Sequence, residues 1–322
     1  MASMRDIKRR KDSIQSTQQI TKAMKLVSTV KLQRAKTRAE NAKPYFEKTL
    51  ETIQSILSKT ERVEHPYLTT NGSDKKGVIV ITSNRGLAGG YNNNVVKQIP
   101  DRGMDPKDTL IYGVGRKGIE YLARRNYEIA ADDSDMINEP LFSDAARLGE
   151  KVLKAYSQGE IGEIYLAYTS FKNTVVHNPK LIRLLPVDTS QAEDTLNMEP
   201  VSVEGGTGSG AASAATGADP APDTAAAPAG ASPSVKTAPM NYEPDVEEAL
   251  DLIVPRYINS VIYGAFMEAV ASENGARMQA MDAATSNAEE MIDKLSLAYN
   301  RARQGAITQE LTEIISGAEA LK

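Results

Sequence analysis

The stretch Ala306-Ile307-Thr308-Gln309-Glu310-Leu311-Thr312-Glu313-Ile314-Ile315-Ser316-Gly317-Ala318-Glu319-Ala320 closes a helical pattern that begins at Asp245 and runs to Lys322. Its apolar positions step by four and three: Ala284, Ala288, Met291, Leu295, Ala298, Ala302. That spacing is a coiled-coil seam, narrower than the stripe of a core-facing helix. Beyond Gly305 a second seam follows at Ile307, Leu311, Ile314, Ala318 and Leu321, out of phase with the first. The contact stripe is therefore expected to change face near Gly305. At ~1.5 Å per residue such a helix spans on the order of 115 Å and needs a partner along its length.

The other end of the chain offers that partner. Ser3 can cap a helix, with Asp6 three residues on. Apolar residues follow at Ile7, Ile14, Ile20, Met24 and Val27, then at Phe46, Leu50, Ile53 and Leu57. Two long seamed helices at opposite ends of one chain predict an antiparallel rod, slim because its seam is rich in Ala. An ordinary helical bundle would need more than two such helices.

Between the rods the pattern changes. Glu61 to Lys76 is polar, with turn signals at His65-Pro66 and Asn71-Gly72. Gly77–Ser83 is a β-branched run and predicts a buried strand. Further strands are expected at Thr109–Tyr112, Tyr127–Ala131, Ile161–Phe171 and Leu181–Val187. Helices are expected up to Ile99, over Arg116–Arg125 and over Pro140–Gln158. Alternating strands and helices predict a small Rossmann-like α/β domain with a largely parallel sheet. The fold class is thus mixed, a long antiparallel coiled coil plus that domain. The divisions expected are 1–60 for the first rod helix, 75–188 for the α/β domain, 189–241 for an insert and 242–322 for the second rod helix. Pro255 should bend that last helix or mark its true first turn.

Composition removes several kinds of chemistry. The chain has 322 residues, 41% hydrophobic, with no Cys and no Trp. Disulfides, thiolate metal sites and Cys nucleophiles are excluded together. The two histidines, His65 and His177, sit in polar stretches beside prolines and read as surface loop residues. The first residues contain no apolar run, so no signal peptide is expected. No stretch approaches a transmembrane span. Charge is uneven. Residues 1–60 hold 14 Lys and Arg against five acids, a balance of +9 within a net of −4. Such a helix suits nucleic acid, an acidic protein partner, or a solvated face. Thr189–Asn241 is rich in Ala, Pro, Gly and Ser and cannot bury a core. Six acids face one Lys across 191–241, so this reads as a flexible acidic insert.

Two glycine loops resemble phosphate cradles. Gly86-Leu87-Ala88-Gly89-Gly90 follows a strand but lacks the Lys-Ser/Thr ending of a P-loop. Gly113-Val114-Gly115-Arg116-Lys117-Gly118 is a formal G-x-G-x-x-G, with Asp132 and Asp133 about 20 residues on, where a ribose-binding acid would stand. Judged locally, dinucleotide binding and tight βα packing both remain open.

The residues then become recognisable. Ile307-Thr308-Gln309-Glu310-Leu311-Thr312-Glu313 with Gly317-Ala318-Glu319-Ala320 resembles the C-terminal signature of the gamma subunit of bacterial F-type ATP synthases. Met4-Arg5-Asp6-Ile7-Lys8-Arg9-Arg10 and Thr17-Gln18-Gln19-Ile20-Thr21-Lys22-Ala23-Met24-Lys25-Leu26-Val27 resemble that family's N-terminus. Arg85–Gly90 and Tyr299-Asn300-Arg301-Ala302-Arg303-Gln304 match as well, so the resemblance covers the chain apart from about 190–240.

The resemblance implies a non-catalytic rotor subunit with no cofactor, metal or small-molecule ligand of its own and no nucleic-acid role. It implies a central stalk inside a hexamer of alternating alpha and beta subunits, with the α/β domain as a foot on the epsilon subunit and the membrane c-subunit ring. Proton flow would turn the ring and the stalk, and the asymmetric rod would drive the beta sites through different conformations. The complex would lie peripherally on the cytoplasmic side of the cell membrane. The glycine motif would be structural. Met24, Lys25, Gln304, Thr308 and Glu310 would meet the hexamer, and Tyr242 and Glu243 would face the ring and epsilon. The same likeness puts Met24 beside Gln304 to Thr308, Phe46 beside Ala284, and Ile53 beside Arg277 or Met278. Plant relatives carry a redox-switching Cys pair in their insert; this chain has none, which excludes thiol regulation.

Overall fold

The computed structural model describes residues 4–59, 65–69, 71–174, 176–187 and 246–319. Ser3, the insert, Tyr242 and Glu243 lie outside them. So do the side chains of Phe46, Leu50, Ile53 and Leu57, although their backbone is helical.

Two helices dominate: α1 over Met4–Lys59 and α5 over Val246–Glu319, 56 and 74 residues long. Between them come β1 (Lys76–Ile81), α2 (Tyr91–Asp101), β2 (Thr109–Val114), α3 (Arg116–Ala123), β3 (Glu128–Asp132), a 3-10 turn at Ser134–Ile137, α4 (Phe142–Ser157), β4 (Glu163–Phe171) and β5 (His177–Leu185). The sheet order is β3-β2-β1-β4-β5, parallel except for the antiparallel β4–β5 pair. β5 begins four residues earlier than expected. It pairs on one side only, and an edge strand tolerates Pro179 where an inner strand would lose a ladder bond.

Each sheet face carries a core. On one face Val78, Val80 and Ile111 pack with Val95, Val96 and Ile99 of α2 and Leu122 of α3. On the other, Ile79, Ile81 and Leu166 pack with Leu148 and Val152 of α4 and with Val254, Ile258, Ile262 and Phe266 of α5. The first third of α5 is therefore part of the head, with Phe266 fully buried. Pro255 lies inside α5, well past its first turn. A proline there is tolerated because tertiary packing of the flanking turns sustains the helix.

The rod is antiparallel, in a register different from the expected one. Gln18 Nε2 donates to Glu289 Oε1 at 3.0 Å, the Thr21 and Thr285 hydroxyls lie 2.8 Å apart, and Lys25 Nζ pairs with Asp282 at 2.5 Å. Met24 is thus level with Ala283 and some twenty residues, roughly 30 Å of helix, short of Gln304. The seam faces also differ. Ile20, Val27 and Met291 are exposed at 57%, 57% and 53%, and Ala298 is exposed too. Thr21, Ser28, Ile292 and Tyr299 turn inward instead. Beyond Ala306 every described side chain of α5 is exposed, so the second seam meets no partner among the described residues. α1 begins too late to reach it.

Candidate partner-binding surface

Three surfaces follow from this geometry. The first is the shaft. Polar side chains of α1 line its seam between Gln18 and Ser28, against polar partners and the buried Met281 and Ala288 of α5, while Ile20, Leu26, Val27 and Val30 stand exposed at 54–63% on the outside. Met24 is half-buried, and Lys25 is held by Asp282 with 40% of its side chain exposed. Contiguous outward apolar residues on a helix mark a surface that another molecule covers.

The second is the projecting tip. Gln304, Thr308 and Glu310 are exposed, as are Ile307, Leu311, Ile314 and Ile315 at 50–68%. Its polar residues bond locally, Thr308 Oγ1 to the Gln304 carbonyl at 2.9 Å and Gln309 to Glu313 at 3.0 Å. The apolar residues are left for a partner. Met24 and Lys25 thus belong to one surface, and Gln304, Thr308 and Glu310 to another.

The third was not singled out in the sequence. Where the rod enters the head, a cavity of about 430 Å³ is lined by Lys31, Arg34, Arg38 and Arg85, with Met24 and Leu87 beside them. Leu87 holds a φ of 64° and is 63% exposed, an uncommon backbone for a bulky side chain. Arg277 closes the groove from α5, paired with Glu273 at 2.7 Å and donating to the Gly86 carbonyl at 3.3 Å. The excess of cations on α1 was the available signal; the loop that completes the groove comes from the head.

The glycine motif is occupied by its own chain. Thr82 Oγ1 accepts from the Gly118 amide at 2.9 Å and donates to the Gly115 carbonyl at 3.0 Å. The Arg116 amide donates to Asn84 Oδ1 at 3.1 Å. A helix start binds anions through free amides, and here side chains of the chain take them. A Cβ on Gly118 would stand 2.6 Å from Thr82 Oγ1, which measures how closely the loop packs. The two acids are engaged as well. Asp132 accepts from the Ser134 amide at 3.0 Å, and Asp133 pairs with Lys151 at 2.8 Å.

Neither histidine is the surface residue expected. His65 is 3% exposed; its Nδ1 accepts from the Tyr67 amide at 3.2 Å and its Nε2 lies 3.1 Å from Asp251 on α5. His177 packs half-buried against Phe171 and α5, where a Cβ on Gly275 would stand 2.8 Å from the imidazole. Burial holds the His177 pKa below its usual value. Pro66 lies in a turn and Pro179 in the edge strand β5, and α5 reaches the histidine beside each of them. No helix among the described residues is long and apolar enough to cross a membrane.

Comparison with known proteins agrees with this architecture. The ATP synthase family profile matches residues 3–321. The ATP synthase gamma chain of Lachnoclostridium phytofermentans is 57% identical over the full length of both chains. That of Alkaliphilus metalliredigens is 40% identical over 99% of each. A 37% identical relative from Acetobacterium woodii is a sodium ion specific ATP synthase gamma chain, matched over 99% of each chain. The fold resembles a chain of the Euglena gracilis mitochondrial ATP synthase OSCP/F1/c-ring structure, with TM-score 0.64 and 17% identity over 99% of this chain and 94% of that one. It also resembles one from the Tetrahymena thermophila ATP synthase central stalk and c-ring, with TM-score 0.54 and 22% identity over 82% and 99%. A family profile that matches almost the whole chain and a full-length relative at 57% identity show that the chain belongs to the family of ATP synthase gamma chains.

Proposed function

We propose that this chain is the non-catalytic rotor of a membrane ATP synthase, transmitting ion-driven rotation of a c-subunit ring to the catalytic beta subunits. The observation that carries this reading is the exposed apolar surface of the shaft and tip. Ile20, Val27, Ile307 and Leu311 would be costly on a free rod and suit a sleeve. A hexamer of alpha and beta subunits supplies one, with Met24 and Lys25 facing its lower part and Gln304, Thr308 and Glu310 its upper part. The cationic groove at the neck suits an acidic surface of that hexamer. The head faces the epsilon subunit and the ring, with Tyr242 and Glu243 on that side. The complex sits peripherally on the cytoplasmic face of the cell membrane. Its direct contacts are proteins, and neither nucleic acid nor a small molecule is part of the reading. The 189–241 stretch serves as a spacer.

The absence of Cys makes the test clean. Thr21→Cys with Thr285→Cys should cross-link within the rod, since the hydroxyls already lie 2.8 Å apart. In the assembled complex that bond should leave ATP hydrolysis intact, because both helices turn together. A bond from Ile307→Cys to a beta subunit should stop hydrolysis until reduced. Loss of activity with the internal bond, or full activity with the external one, would overturn rotation as one body.

A further inference from the structure

α1 carries two stripes that could serve as its seam. One is Ile20, Ala23, Val27 and Val30, apolar throughout and spaced three, four and three. The other is Gln18, Thr21, Lys25 and Ser28, polar throughout and spaced three, four and three, about 160° round the helix. Hydrophobic burial alone selects the first. The rod uses the second: Thr21 and Ser28 are 8% and 2% exposed, while Ile20, Val27 and Val30 are 57%, 57% and 54% exposed. On α5 the partners of these bonds are likewise polar, Asp282, Thr285 and Glu289, and they flank Met281 and Ala288, which are 4% and 6% exposed.

Below Ser28 the seam turns apolar. Leu32 and Ala35 pack with Ala271 and anchor the middle of α1. Above that anchor, interhelical polar bonds occur at three successive seam positions. Polar groups at a seam select face and register more than they add stability, because the wrong arrangement leaves them unpaired.

We propose that the three polar ties, Gln18–Glu289, Thr21–Thr285 and Lys25–Asp282, are a phase lock that holds the apolar stripe of α1 outward against its own tendency to pair with α5. The lock sets which face of the upper shaft is presented outside. It rests on the geometry of the pair alone.

Cysteine reporters placed away from the ties test this in the full-length chain. By the same pairing Ile14 is level with Ile292, and both are half-buried in the seam. Ile14→Cys with Ile292→Cys reports the observed phase; Ser13→Cys with Ile292→Cys reports a shaft rolled onto its apolar stripe. With the ties intact, oxidation by copper phenanthroline should give the first bond and little of the second. Adding Gln18→Ala and Lys25→Ala should raise the second bond several-fold relative to the first. Reversing the ion pair, Lys25→Asp with Asp282→Lys, should restore the original ratio while Gln18 is intact. An unchanged ratio in the double alanine chain with Thr21→Ala added, which has none of the three ties, overturns the lock. A ratio that rises but is not restored by the reversed pair also overturns it, since the ties would then be general supports. Should the double alanine chain lose its helical circular dichroism, Lys25→Gln alone is read in the same way.

Discussion

The first and last thirds of α5 are one continuous helix living in opposite solvents. From Leu250 to Ala271 it lies under the sheet, with Val254, Ile258, Ile262, Phe266 and Ala269 at or below 1% exposure. From Ile307 to Glu319 every side chain is exposed, four of them large and apolar. The backbone is helical in both and the embedded stretch is the more apolar, but each carries large apolar side chains and they differ in what the chain supplies to cover them. The embedded third is finished by folding, whereas the projecting third awaits another molecule.

Substitutions can break this contrast. Phe266→Ala in the head should cost about 3–5 kcal/mol, the transfer loss plus a cavity. Leu297→Ala on the shaft, where 62% of the residue is exposed, should change stability by no more than about 0.5 kcal/mol. Denaturant unfolding followed by tyrosine fluorescence reads both, since the chain has 13 Tyr and no Trp. Equal costs would mean that the shaft is as well packed as the head.

A second comparison lies inside the head. Gly115 has a φ of 109°, and a Cβ there would stand 2.1 Å from the Thr82 carbonyl oxygen. Gly115→Ala should therefore cost about 2–4 kcal/mol from strain and overpacking together. Assembly of the rod at permissive temperature should be unchanged. A stable Gly115→Ala chain that had lost only nucleotide binding by the complex would return the motif to a ligand role.

Acid should separate the regions too. His177 has its pKa lowered, chiefly by burial, from the usual 6.5. The unfolded chain then binds a proton that the folded chain resists. Stability contributed by neutral His177 is complete above that value and declines as pH falls below it. The head should weaken across that window by tyrosine signals, and His177→Phe should flatten the decline. An identical slope in the variant would locate the titration elsewhere. The smallest effect belongs to the shaft. Lys25 and Asp282 are 40% and 57% exposed, so Lys25→Ala should cost about 1 kcal/mol or less and vanish within error in molar salt. A larger, salt-resistant loss would show that the shaft seam behaves as a buried one.

The elements of the head were legible because β1 is a β-branched run, the other strands are short apolar stretches between turn residues and helices, and each amphipathic helix has a sheet face to cover. Boundaries shifted at β5, where Asn178 and Pro179 hide an edge strand, and the 3-10 turn at Ser134–Ile137 left no periodic signal. The existence and direction of the rod were equally legible from its two long patterns. Its phase was not. Apolar spacing points to Ile20, Met291 and Ala298, and the fold turns those faces outward. Periodicity finds an apolar stripe without saying who covers it, and here the stripe faces away from the chain's own partner. The basic groove was half legible: the cations of α1 stand out, but the Arg85–Leu87 loop reaches them only through tertiary placement.

The continuity of α5 has a mechanical meaning. α5 is built into the head by a wide hydrophobic grip, whereas the buried side chains described for α1, Thr21, Ser28, Leu32 and Ala35, form a single row along its contact with α5. Along the described seam from Thr21 to Ala35, a twisting load carried up by α5 passes to α1 as shear across that row. The two strands of the shaft are therefore unequal beams: α5 is the axle, α1 is a stay lashed to it, and the stiffness of the upper shaft is set by how well a few lashings resist sliding.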